Sequence, residues 1–317
     1  MGQIVGRNIY LDYFKFLIIA ILFTAHTNIS TTGLAGWLMS DAFARICVPC
    51  FFIINGYFLA SIIQNKKKFK KYLVKLLLIY LVWNIIYFPL SWTMVGGGKK
   101  MMIVQILTGY YHLWYMACLI GTVIVLFFLR KVKPSIMIAL CAVLYLIGYI
   151  IQKAYMVDIH IHMYPTISRS FLFYGIPFVY TGILIKNKNW EGSSFVKGKQ
   201  IYLWSALLLI MLCLESYLVY TIKGHEIDPP KDDFFLSIIF LCPMLFLIVQ
   251  KIGKYVENDG YISKLASGVY FVHILVIYLV AGTPYQADWL YYPIFLFVSM
   301  IFSAVIIDLN KRIKLFL

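Results

Sequence analysis

Residues 9–29 read IYLDYFKFLIIAILFTAHTNI, and the ten positions from Phe16 to Ala25 carry no charge. Such a run is long enough to cross a bilayer as a helix, which takes about 20 residues at a rise of about 1.5 Å each. It is too long for the core of a cleaved leader and shows no evident small-residue cleavage site, so it reads as retained. Comparable runs follow at roughly 42–63, 72–94, 111–129, 135–152, 168–186, 201–221, 234–250, 264–282 and 290–309. They are continuously apolar and do not alternate with period two, which selects helices over barrel strands.

Composition leads to the same place. Of the 317 residues 62% are hydrophobic and 13% charged, against about 25% charged in soluble domains. A soluble fold of this length has too much surface to hide that much apolar side chain. The predicted fold is therefore all-α: a polytopic transmembrane helical bundle of about ten spans. It reads as one integral membrane domain over residues 1–317, with short connections and no convincing internal repeat.

The net charge of +15 does not point to nucleic acid, because the basic residues sit in short loops between apolar runs. There they set topology and meet anionic lipid headgroups. With both termini in the cytoplasm, 20 of the 28 Lys and Arg residues fall in inner segments and five in outer ones. The densest inner group is Lys66, Lys67, Lys68, Lys70, Lys71 and Lys75. The expected location is the cell inner (plasma) membrane. The six cysteines lie within apolar runs; Cys47 and Cys50, with Pro49 between them, read as small packing residues rather than a metal or redox pair.

Ionisable side chains at membrane depth are costly and mark function by default. The candidates are Asp12, Lys15, His26, Arg45, His112, Arg169, Glu215 and His273. Asp12 and Lys15, three apart on one helix face, can simply pair with each other or snorkel. His26 stands eleven residues beyond Lys15, about 16 Å along the axis. It is either a satisfied helix contact or a general base. Arg45, His112, Trp114 and Arg169 begin three further spans at the outer end. Together with His26 they suggest a cavity opening on that side, although each alone is an ordinary helix-end residue. His273 and Glu215 lie deeper, where they line an inner path or pair with each other. His160 and His162 sit in an outer loop, with too few neighbours for a metal site, and none is expected elsewhere.

Several motifs resemble acyltransferase family 3 membrane proteins. Leu11-Asp-Tyr-Phe-Lys15 followed by ten residues and His26 is similar to that family's opening span, with lysine where arginine is usual. Arg45-x-x-x-Pro49-x-Phe51-Phe52-x-x-Asn55-Gly56-Tyr57 resembles its second span, and His112-Leu-Trp-Tyr-Met116 its "HLWFL" segment. Arg169 to Gly182 and Ser267 to His273 resemble later segments, so the likeness covers nearly the whole chain in order. Lysine for arginine keeps the charge and loses the planar five-donor fork.

The resemblance implies an O-acyltransferase moving an acyl group, most often acetyl, from acyl-CoA to a hydroxyl of a surface polysaccharide or lipid-linked glycan. It implies a stand-alone member without an added esterase-like domain and with no permanently bound cofactor. His26 is then the catalytic base or acyl carrier, with Arg45, the second catalytic residue, and Arg169 as anion or acceptor contacts. Lys15, Asn55, Tyr57, His112, Trp114, Arg169 and His273 are the expected substrate contacts. Tyr57, Trp114 and Tyr115 offer ring faces for sugars, and the basic loop attracts CoA phosphates. Because the donor is cytosolic and His26 lies toward the outer face, either CoA reaches in through a polar channel past Lys15, Glu215 and His273, the simpler route, or the acyl group is relayed. The rival class is a transporter or flippase of a lipid-linked sugar or small acyl compound, disfavoured by the lack of a repeat.

Overall fold

The computed structural model describes residues 6–94, 98–157, 159, 167–224, 232–282 and 289–317. Its helices in chain order are α1 (Ile9–Leu22), α2 (Leu34–Asp41), α3 (Cys47–Leu59), α4 (Lys66–Met94), α5 (Lys99–Thr108), α6 (Trp114–Leu129) and α7 (Pro134–Met156). They continue with α8 (Ile176–Asn187), α9 (Ser194–Lys197), α10 (Gln200–Lys223), α11 (Ile238–Lys251), α12 (Tyr261–Ala281) and α13 (Tyr292–Ile313). Short 3₁₀ turns and one π turn join several of them. Strands β1 (Arg7–Asn8) and β2 (Tyr255–Val256), two residues each, pair antiparallel.

The fold is all-α. Among the described residues eight helical stretches are long and apolar enough to cross a membrane: Ile9–His26, Leu34–Leu59, Lys66–Thr93, Tyr111–Leu129, Pro134–Met156, Gln200–Lys223, Tyr261–Ala281 and Tyr292–Ile313. Two more apolar helices, Phe171–Asn187 and Ile238–Lys251, are shorter. These ten stand where the sequence places its ten apolar runs. The protein is a multi-pass membrane protein by its helices.

The structure departs from the sequence reading mainly at helix ends. The chain before residue 42 is helical as α2, where a loop is expected. Helix α4 starts at Lys66 because Asn65 accepts a hydrogen bond from Lys68 N at 3.0 Å, capping an otherwise open turn. Its lysines are therefore helical, not loop, residues. The connection after α4 contains α5, a ten-residue helix too short to cross. His160 and His162 lie outside the described residues.

The chain forms two compact units, Met1–Phe51 with Asn189–Leu317, and Phe52–Lys188. In the first unit α12 packs along α13 and α1, and α10 packs on α11 and α2. Helix α12 is the central one: over half of its span is buried, against 22% for Gln200–Lys223 and Tyr292–Ile313. In the second unit α6 is central in the same sense, flanked by α4, α5, α8 and the π turn at Phe171–Gly175, and α7 packs on that turn and on α8. Exposed Leu, Ile and Phe side chains such as Ile85, Phe128, Leu218 and Phe297 cover the peripheral helices, the surface a lipid solvent favours.

Two glycines allow the closest approach in the second unit. A Cβ on Gly56 would stand 1.9 Å from Val179 O, and one on Gly182 2.1 Å from Ile53 O. Here α3 and α8 meet backbone to backbone, the contact small residues permit between membrane helices. Gly182→Ala is expected to force the pair apart and to destabilise by about 1–3 kcal/mol. A lowered thermal midpoint in detergent, with Leu81→Ala on an exposed face as control, checks this.

Candidate active site

The first unit builds its site at the end of α1. Thr24 Oγ1 shares its one hydrogen between Ile21 O at 2.8 Å and Met39 O at 3.0 Å, and Thr27 Oγ1 donates to Thr24 O at 3.1 Å. Threonine hydroxyls that back-bond to carbonyls bend and end helices. The chain tightens into a 3₁₀ turn, Phe23–His26, and then runs extended at Thr27. His26 is the last residue of that turn and is half-buried.

Across from it stands His273 of α12, fully buried, with ring centroids 5.0 Å apart and planes tilted by 56°. The Nδ1 of His273 lies 2.6 Å from Tyr270 O. Phe23 covers the same ring at 5.2 Å. The Phe23–His26 turn also packs against α13 and against the 3₁₀ turn Phe43–Ile46, which carries Arg45. His26, His273 and the Arg45 turn are thus neighbours within one unit.

Arg45 is itself buried, and its two terminal nitrogens are already committed. Nη2 pairs with Asp41 one helical turn earlier, and Nη1 with Asp233 at 3.0 Å. Asp41 is held further by Ser40 Oγ at 2.7 Å. Only Nε is left without a protein partner among the described residues. This geometry makes Arg45 chiefly a clamp between α2 and the segment entering α11, not an open anion contact.

Lys15 donates to Ser263 Oγ at 3.2 Å and stands 3.9 Å from Asp12. Asp12 is occupied mainly by Arg7, which grips it through two bonds of 2.5 and 2.9 Å. That hydrogen bond raises the Arg7 guanidinium above its ordinary value, with burial opposing. The expected Asp12–Lys15 pair is therefore secondary, because Arg7 lies outside the helix and reaches back with a planar fork. Glu215 does not pair with His273, as was one expectation. Its carboxylate accepts from Leu236 N, Ser237 N and Ser237 Oγ at 3.0, 3.1 and 2.5 Å, satisfying amides at the start of α11.

The second unit groups the remaining candidates. Asn55 donates to Tyr115 Oη at 2.7 Å and accepts from Tyr72 Oη at 3.3 Å. Lys186 donates to Tyr57 Oη at 3.0 Å and lies over the Tyr57 ring at 4.6 Å. Tyr57 and Tyr115 are both buried, with Phe52 against Tyr115 at 4.7 Å. His112 is buried on a 3₁₀ turn beneath Tyr87, ring to ring at 5.0 Å. Arg169 stands 5.6 Å over Trp114, just ahead of the π turn; both are half-buried.

Sequence reading missed Arg7, Asp41, Asp233, Ser263, Tyr72 and Lys186. Asp41 had a signal, since it lies four residues before Arg45, but the segment read as loop. The others are distant in sequence or on long flexible arms.

These features define a class: a polytopic α-helical membrane protein with paired histidines at a helix break. Residues 8–308 match the family described as an acyltransferase domain, and the chain belongs to acyltransferase family 3. It is 27% identical over 305 residues to an amino-acid racemase of Enterococcus faecalis, an alignment covering 85% of this chain and 41% of that protein. It is 25% identical over 268 residues to a serine/alanine racemase of Enterococcus gallinarum, covering 77% and 36%. The chain therefore spans about two fifths of the length of these relatives. No solved structure matches it.

Removing Arg45 strands two buried carboxylates. Arg45→Ala is expected to cost about 3–5 kcal/mol and to cut the monodisperse fraction on size exclusion. Adding Asp41→Asn and Asp233→Asn to that variant restores much of the loss.

Proposed function

We propose that the protein is a membrane O-acyltransferase that moves an acyl group, acetyl the expected one, from acyl-CoA to a hydroxyl of a surface polysaccharide or lipid-linked glycan. The observation that carries the reading is His26: a half-buried imidazole on the turn that ends α1, in a chain of acyltransferase family 3. Basic residues orient the bundle with its N-terminus in the cytoplasm of a plasma-membrane protein. The donor then enters from the cytosolic side, past Lys15 and Ser263.

The chemistry follows from the side chains. His26 takes the proton of the acceptor hydroxyl as its oxygen attacks the thioester carbonyl. The carbon–sulfur bond breaks, and the proton passes from His26 to the departing thiolate, so an ester and free CoA result. Fixed donors around the developing oxyanion lower the barrier; Arg45 Nε, buried and without an acceptor among the described residues, is one candidate in the first unit. Within the second unit by itself, Trp114, Arg169, Asn55, Tyr57 and His112 are proposed substrate contacts.

The test is label transfer from radiolabelled acetyl-CoA to candidate glycans by purified protein in lipid. His26→Ala is expected to lower transfer at least about 100-fold, the scale of general-base catalysis, with folding intact by size exclusion. Transfer undiminished in that variant removes the assignment. Lys15→Arg, which restores the family's usual residue, is expected to keep activity within a few-fold.

A second reading is favoured by the relatives' names, which concern amino acids. In it the bundle carries a small amino acid such as serine or alanine across the membrane. Flux of labelled serine into proteoliposomes without label transfer supports this reading over the enzyme.

A further inference from the structure

The two units do not share the positive charge of the chain. The second unit, Phe52–Lys188, holds 15 Lys and Arg residues and one acid, Asp158, whereas the first holds 13 and 12. Almost all of the net +15 therefore falls on the second unit. Asp158 lies outside the described residues, so the described part of this unit contains no carboxylate.

The cations are densest at one end. Phe69 of α4 stacks on Phe127 of α6, with ring centroids 4.2 Å apart and planes at 12°, and Arg130 lies 4.0 Å over the Phe127 ring. The start of α4 thus stands beside the end of α6. Lys66, Lys67 and Lys70 on the one side and Lys131 on the other are exposed. Lys66 and Lys70 are one helical turn apart, a spacing at which like charges repel.

Burial also divides α4 lengthwise. Phe69, Leu76 and Trp83 are buried, whereas Val74, Leu77, Leu81 and Ile85 are exposed. At 3.6 residues per turn these four continue the face that opens with Lys66, Lys67 and Lys70. Val74 to Ile85 rises about 16 Å, half the hydrocarbon thickness of a bilayer of about 30 Å. A cationic head therefore runs directly into an apolar face one leaflet long.

We propose that this face is a binding site for an anionic phospholipid. Its phosphate sits with Lys66, Lys67, Lys70 and Arg130 where α4 meets α6, and its acyl chains lie along Val74 to Ile85. Basic clusters beside a membrane helix attract anionic headgroups, and the lipid supplies the counter-charge that this unit lacks. The phosphates of acetyl-CoA share the charge, but that molecule has no long chain to cover the apolar face. The inference does not depend on the acyl-transfer reading.

The test uses the whole protein purified in a neutral detergent, with bound lipid followed by native mass spectrometry. Dioleoyl phosphatidylglycerol is expected to bind at least about tenfold more tightly than dioleoyl phosphatidylcholine. Dihexanoyl phosphatidylglycerol, which keeps the headgroup and shortens the chains, should bind at least about tenfold more weakly than the dioleoyl form. Acetyl-CoA should not displace the bound lipid. Lys66→Gln with Lys67→Gln and Lys70→Gln should weaken phosphatidylglycerol binding at least about tenfold, and Lys99→Gln with Lys100→Gln, exposed on α5, should leave it within about twofold. If the α4 variant does not fold, the unmodified protein with the three lipids and acetyl-CoA carries the test alone. Equal affinity for any two of these lipids overturns the proposal. So does displacement by acetyl-CoA, which assigns the cations to the donor instead, or an α4 variant that binds like the α5 one.

Discussion

Inside hydrocarbon a backbone amide or carbonyl has no water to turn to, so every helix break must find its partners within the protein. Both units are organised around that requirement. Where α1 tightens at Phe23–His26, Thr24 and Thr27 return hydroxyls to the carbonyls. Where α11 begins, Glu215 takes the amides of Leu236 and Ser237. At the π turn Thr122 Oγ1 reaches Phe171 O at 3.3 Å. Candidate site residues stand at these breaks: His26 ends one, and Arg169 precedes another. A regular helix keeps its polar groups to itself, so the sites where they are spent differently are where a substrate can be met.

Charge obeys the same economy. Asp41, Arg45 and Asp233 are all buried, and each is tolerable only because the others are there. Such a cluster contributes little net stability compared with apolar packing, yet removing one member is severe. Its effect is to fix the position of the turn bearing Arg45, which packs on the turn bearing His26. Arg7, Asp12 and Lys15 form a looser counterpart at the start of α1, where Arg7 is partly exposed. The buried cluster serves geometry; the other places Lys15 between Ser263 and Asp12.

Much of the candidate site was legible before any coordinates. The span of His26, its distance from Lys15, and the order of the motifs through His273 could all be read as residue types at spacings. Three things could not. The approach of His273 to His26 joins residues 247 positions apart, and helical periodicity carries no information at that range. The commitment of Arg45 depends on Asp233, likewise remote. The burial of Tyr57 and Tyr115 depends on neighbours, since a ring near a helix end reads the same whether it meets lipid, sugar or another ring.

The sequence by itself determined that this chain is an α-helical membrane protein with ten apolar segments. That is a matter of solvent: continuous apolar runs have one low-energy state in a bilayer, set by local hydrogen bonding and length. It also named the residues whose cost at membrane depth demands an explanation. Only the tertiary structure decided what those residues touch. Packing brought His26 to His273, turned Arg45 inward between two carboxylates and gave Asp12 to Arg7. Contacts between distant helices follow from how side chains interlock in three dimensions, and no local pattern along the chain encodes them.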